Sequence, residues 1–237
     1  MWSKALAIAA LAVLSVGQCL AAEYLTDYSV AYRYAQRTGR LLIVSVGATH
    51  AIESDARHVA CRLAAEWKDA RHESLKDLEG SGVFIIDLVN QEHYGQVVSI
   101  LPAKHCTPKH VAELYRLPKG SLTQRTLIWA VRVHPEHPQS TECECAPELM
   151  SHADRHSQAQ ADSNRQYHNL PASIANSEIV AESWPWNKNI VEAAVDLVAS
   201  WRQSPGHWRE MASSHRKFGF DMKCNGKKWF GCGVFKD

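Results

Sequence analysis

The stretch Asn189–Trp201, "NIVEAAVDLVASW", limits the fold of this chain more than any other. Ile190, Val191, Ala194, Val195, Leu197, Val198 and Trp201 recur at helical spacing and form one wide apolar face. A helix of that kind must lie on a sheet or on other helices. It is stopped by Ser204-Pro205-Gly206. Ser204 is expected to cap a second helix, with Pro205 at its first position, which places His207 in the first turn. The helix terminus disfavours a further positive charge there. The imidazole is therefore expected to be neutral, able to accept a hydrogen bond or bind a metal.

The chain begins with "MWSKALAIAALAVLSVGQCLAA", one lysine followed by an apolar run from Ala5 to Val16 and then small residues. This pattern predicts a signal peptide over residues 1–22, cleaved after Ala21 or Ala22, and an exported (secreted or periplasmic) product. The apolar run is too short to span a bilayer, and no second stretch is long enough. Losing Lys4 from 26 basic residues balances the 25 acidic ones, which argues against a nucleic-acid binder. Six cysteines remain after Cys19 is removed: Cys61, Cys106, Cys143, Cys145, Cys224 and Cys232. An even number in an exported chain suggests disulfides.

The pattern predicts an α/β fold in two regions. In residues 23–133, "DYSVAYRYAQRTGR" is a helix ended by Gly39, and "LLIVSVGA" a buried strand. "HVACRLAAEW" reads as a helix, "GVFIIDLV" as a strand, "TPKHVAELYRL" as a helix capped by Thr107, and "RTLIWAVRV" as a third strand. Residues 134–146, rich in proline, read as a linker. In residues 147–237, "APELMSHADRHSQAQADSNRQY" is a polar helix, followed by the amphipathic helix. "KFGFDMKCNGKKWFGCGVF" is a hairpin turning at Asn225-Gly226, with Cys224 and Cys232 flanking the turn as a candidate cross-strand disulfide.

The order of these pieces resembles the CAP superfamily, the cysteine-rich secretory, antigen 5 and pathogenesis-related proteins with their bacterial SCP-like relatives. "RQYHNLP" resembles the segment bringing the first cavity histidine, His168, and "SEIVAES" the family's glutamate element, with Glu178 in place. "VEAAVDLVASWRQSPGHWREM" resembles the helix-Trp-x-x-Ser-Pro-Gly-His signature, with His207 as the second cavity histidine, and the hairpin resembles the closing strands with their paired cysteines. The resemblance covers Pro147 to Phe235 and implies an α-β-α sandwich for residues 147–237. Ile179-Val180-Ala181 stands where the family has Asn-Ile-Ala, Ser204 where some members carry a second glutamate, and the family's first helix has no counterpart.

His168, Glu178 and His207 are thus the candidate binding residues. Two imidazoles and a carboxylate suit Zn²⁺ with a water completing the shell, and the resemblance implies divalent metal between His168 and His207. The expected function is a secreted module whose groove takes a lipid, glycan or peptide, and need not be an enzyme. One competing class is an extracellular hydrolase using a metal-bound or glutamate-activated water. The other is a structural envelope protein with a decayed site. His152 and His156 are spaced i, i+4 on a polar helix and are expected on its solvated face. His134 and His137 are expected to be exposed, and Cys143-x-Cys145 is too short for a zinc knuckle. Trp184, Trp186, Trp201, Trp208 and Trp229 are expected to pack core and groove.

"DYSVAYRYAQRTGRLLIVSVGATH" resembles the start of a thioredoxin-like domain. The Cys-x-x-Cys that should follow is absent, and Arg125 stands where the family's cis-proline is expected. The resemblance therefore implies a redox-dead module, with Cys61 a lone thiol on a helix.

Overall fold

The computed structural model describes residues 24–47, 52–67, 72–185 and 187–237. The expected signal peptide and Trp186 lie outside them.

The chain is an α/β protein with two four-stranded sheets. Helix α1 (Tyr28–Thr38) starts at Asp27, whose carboxylate accepts the Val30 N–H, and ends at Gly39 in the left-handed region, φ 59°. Strand β1 (Leu41–Val46) is buried throughout. Strand β2 (His58–Leu63) runs parallel to it, with Leu42 opposite Val59. This corrects the helix expected over His58–Trp67. The Ala-, Leu- and Glu-rich composition favours a helix, but His58, Val59, Ala60 and Cys61 are all buried in succession, as a two-sided strand requires. Leu25 closes the outer edge of β2 through bonds with Ala60 O and the Arg62 N–H.

Strand β3 (Gly82–Ile86) lies antiparallel to β1, and β4 (Val97–Pro102), which the pattern did not suggest, lies antiparallel to β3. Helix α2 (Pro108–Leu114) is capped by Thr107 as expected, Oγ1 accepting the His110 N–H at 3.2 Å. "RTLIWAVRV" is not a strand. It forms most of helix α3 (Leu122–Val133). Seven consecutive residues, Arg125 to Val131, are buried, a continuous run that reads like a buried strand. The start of the helix is written in the sequence as a capping box. The Ser121 hydroxyl accepts the Gln124 N–H, and the Gln124 side chain accepts the Ser121 N–H. Arg125 is fully enclosed and donates to Ser99 Oγ and to the carbonyls of Leu114, Leu117 and Pro118.

The second sheet has the order β5-β7-β8-β6. It comprises β5 (Glu144–Cys145), β6 (Ser177–Ser183), β7 (Lys217–Cys224) and β8 (Trp229–Lys236). The stretch expected as a linker contributes β5, parallel to β7, and buries Ser140 and Thr141. Helices α4 (Pro147–Ser163), α5 (Ile190–Gln203) and α6 (Pro205–Ala212) fall where the sequence suggested. Ser204 precedes α6 but its side chain makes no capping bond.

The alternation of β-strand side chains builds the layers. Ile179, Ala181, Phe218, Phe220, Met222 and Phe235 face one way and join Leu197, Val198 and Trp201 of α5 and the buried face of α3. This core continues without a break through α3 to Tyr28 and the first sheet. Val180, Cys232 and Val234 face the other way, onto Leu149 and Ala153 of α4. Helix α4 comes so close to β7 that a Cβ on Gly219 would lie 2.3 Å from the Leu149 carbonyl carbon.

The hairpin turns through Asn225–Lys228, with Gly226 at φ 77° and Asn225 Oδ1 accepting the N–H groups of Lys227 and Lys228. The Cys224–Cys232 disulfide is not formed. Cys224 pairs with Trp229 and is exposed, whereas Cys232 pairs with Asp221 and is buried beneath α4. The residues are out of register and belong to opposite faces. All six cysteines from Cys61 to Cys232 are free.

Candidate functional site

Helix α4 ends at Asn164, whose φ of 50° turns the chain back on itself. Residues 165–176 then run beside the helix as a strap without helix or strand before entering β6. Gln166 Nε2 donates to Val180 O, and Tyr167 presents its ring edge-on to His156 at 5.0 Å. His152 and His156 are not on a solvated face: they share the helix face of Leu149 and Ala153 that packs on the sheet, the strap closes over His156, and their side chains are only 7 % and 2 % exposed. His156 Nε2 lies 2.9 Å from Tyr167 O, a carbonyl, so this nitrogen carries the proton and donates.

Glu178 sits on β6 where strap, helix and sheet meet. Its side chain is 2 % exposed. Oε1 accepts two bonds from the strap, from His168 Nδ1 at 3.0 Å and from the Asn169 N–H at 3.0 Å. Oε2 faces His156 Nε2 at 3.5 Å and His152 Nε2 at 3.6 Å. Neither Glu178 Oε2 nor His152 Nε2 has a hydrogen-bond partner. Burial holds the His152 imidazole below the usual histidine range, against the pull of Glu178.

The three expected residues do converge. His168, 57 % exposed, lies with its ring 5.9 Å from that of His207. His207 is the third residue of α6 and is held below the usual histidine range. The main cause is burial, followed by repulsion from His168, so neutrality there does not need the helix dipole. The set is larger than the sequence suggested, since His152, His156 and the amide of Asn169 belong to it. The i, i+4 spacing of the two α4 histidines was the available signal.

The donors do not suit the zinc expected from the resemblance. Among the described residues no group of three or more His, Cys, Asp or Glu side chains is placed to hold a metal ion. His156 Nε2 is a donor to a carbonyl, and Glu178 Oε1 already receives two bonds. What the arrangement can do is accept. A buried carboxylate oxygen and an imidazole nitrogen stand side by side without hydrogen-bond partners, and the carboxylate oxygen can accept from a donor or a cation.

Of the tryptophans, Trp201 is core, Trp208 packs against His134, and Trp229 is half-buried. Trp184 is 62 % exposed, with the Lys228 ammonium over its ring. Cys61 lies on β2 rather than on a helix, and burial pushes its thiol up to about 12.

A second buried acid lies under α4. Asp221 on β7 is fully enclosed, and burial pushes its carboxyl up to about 6. Lys223 Nζ stands 3.2 Å from Asp221 Oδ2 and 2.6 Å from Asp154 Oδ1 on α4. Among the described residues no helix is long and apolar enough to cross a membrane.

No family model, no curated protein and no solved structure matches the chain.

Proposed function

We propose that this is an exported binding module whose groove, formed by His168, Glu178 and His207 with His152 beneath, receives a small lipid, glycan or peptide ligand through a hydrogen-bond-donating or cationic group. One observation carries the reading: Glu178 Oε2 and His152 Nε2 are buried and adjacent, and neither has a hydrogen-bond partner. Buried polar atoms in folded proteins are nearly always satisfied, so a pair left open points to something that fills it. The neighbouring His168 and His207 rings supply a partly apolar wall. The CAP-like order of the sequence elements supports the same use of the groove.

The test is a ligand-observed NMR screen of peptide, glycan and lipid panels against the wild type, Glu178→Gln and His207→Ala. Binding seen with the wild type and lost in both variants is the expected result. Binding that survives both changes would place the ligand elsewhere. A screen without binders would count against a binding module and leave a structural role.

A further inference from the structure

The strap over this site contains few buried residues. Between Asn164 and Asn176 only Ala175 is buried, with Tyr167, Leu170 and Ile174 half-buried. Yet the strap shields a carboxylate that is 2 % exposed. Between Gln166 and Asn169 it is held by four polar contacts. Gln166 Nε2 donates to Val180 O, and Tyr167 O receives His156 Nε2–H. The other two, from His168 Nδ1 and the Asn169 N–H, converge on the single atom Glu178 Oε1. A segment with little apolar burial and a few polar anchors belongs to the least stable part of a fold and opens locally.

We propose that residues 165–170 form a lid over the Glu178 site, latched by Glu178 itself. This rests on the binding reading above for the lid's purpose, but not for its mechanics. The carboxylate that would receive a ligand's donor is occupied, in the closed state, by two donors of the chain's own strap. Lid and ligand therefore share one carboxylate, the lid's donors holding Oε1 and the ligand's donor taking Oε2. Access to Glu178 Oε2 and His152 Nε2 requires His168 and Asn169 to move, and His168, more than half exposed, has room to swing out. The flanks stay fixed when the latch opens. The Asn164 N–H is bonded to Ala161 O on one side, and the Asn176 N–H to Phe235 O on the other.

Amide hydrogen exchange of the full chain, at one pH and temperature, tests the latch without any ligand. The variants are Glu178→Ala, which removes the acceptor, and His168→Phe, which keeps a ring at an exposed position but removes its donor. Exchange of the Asn169 amide is expected to accelerate roughly tenfold in Glu178→Ala, which takes away its acceptor, and by a smaller factor in His168→Phe, with β8 unchanged. Asn169 exchange at the wild-type rate in both variants would overturn the latch. Should Glu178→Ala also loosen β8, and so report general unfolding, His168→Phe decides the matter alone. A lid that loosens as described in a protein that binds nothing in the ligand screen would overturn the binding reading and leave the latch standing.

Discussion

Glu178 Oε2 and His152 Nε2 face each other at 3.6 Å inside the protein, and neither makes a hydrogen bond. The separation is too long for a hydrogen bond, and both atoms have lost water. Replacing Glu178 with Gln keeps an oxygen for His168 and Asn169 and puts an N–H₂ group where Oε2 was. It also removes a buried charge. The variant is therefore expected to be more stable than the wild type above neutral pH, by about 1 kcal/mol. Urea unfolding at pH 8 measures this. A loss of stability of similar size would mean that one of the surrounding histidines is charged and pairs with Glu178.

The sequence carried the three residues that converge, and missed the two beneath them, for one physical reason. His168, Glu178 and His207 sit in segments whose order resembles a known family. His152 and His156 share a buried face with Leu149 and Ala153 on a helix that is otherwise mainly polar, and the sequence offers no sign that a strap will close over it. Periodicity reads a helix's own faces and is blind to an irregular segment folded on top. In α3 the unbroken run from Thr126 to Val131 imitates a buried strand, and the capping box at Ser121 and Gln124 was the local evidence for a helix. The amphipathic α5 and the Asn225-Gly226 turn were legible because one face of each pattern stays wet. The disulfide was misjudged because sequence shows that two cysteines flank a turn, but not which pairs are in register.

Asp221 gives the fold a pH dependence with a definite sign. Its carboxyl titrates near 6 in the folded chain against a usual 3.8, so the folded state holds the proton more tightly. The stabilisation from that proton is fully present below pH 3.8 and is lost as pH rises through about 6. Asp221→Asn removes the titration. It is expected to be more stable than the wild type at pH 7.5, by at most about 3 kcal/mol, with the difference vanishing towards pH 4. Lys223 keeps Asp154 as a partner in the variant. Denaturant melts at several pH values check this. A difference that grows as pH falls would reverse the assignment.

Gly219 tests the contact between α4 and the sheet. Its would-be Cβ lies 2.3 Å from Leu149 C and 2.5 Å from Met150 N, both backbone atoms of a seventeen-residue helix. No side chain can yield there, so the helix itself must shift. Gly219→Ala is expected to destabilise by about 3 kcal/mol, at the upper end for overpacking. Because α4 carries His152 and His156, the shift should also move their imidazole NMR signals. Gly226→Ala is a poor control, since Gly226 has φ 77°, whereas Gly206, with open space where its Cβ would stand, is a fair one. Equal stability of Gly219→Ala and Gly206→Ala would contradict the close approach.

The thiols separate sharply by environment. Burial pushes Cys61 and Cys106 up to about 12 and Cys145 up to about 11, and raises Cys143 and, well above the usual range, Cys232. Among the described residues Cys224 alone of the thiols is exposed. Since the thiolate is the reactive form, a single fast phase with a thiol reagent is expected at pH 7.5, and Cys224→Ser should abolish it. Unfolding the protein in guanidinium without reductant should then release the remaining thiols, so that all six from Cys61 to Cys232 titrate. The two measurements bear on different claims. A fast phase that persists in Cys224→Ser would show that one of the half-buried thiols is open to solvent. Four thiols after unfolding, instead of six, would show that a bridge forms in the purified chain. With Cys224 and Cys232 on opposite faces of the hairpin, that bridge would have to join other partners or distort β7 and β8 to form.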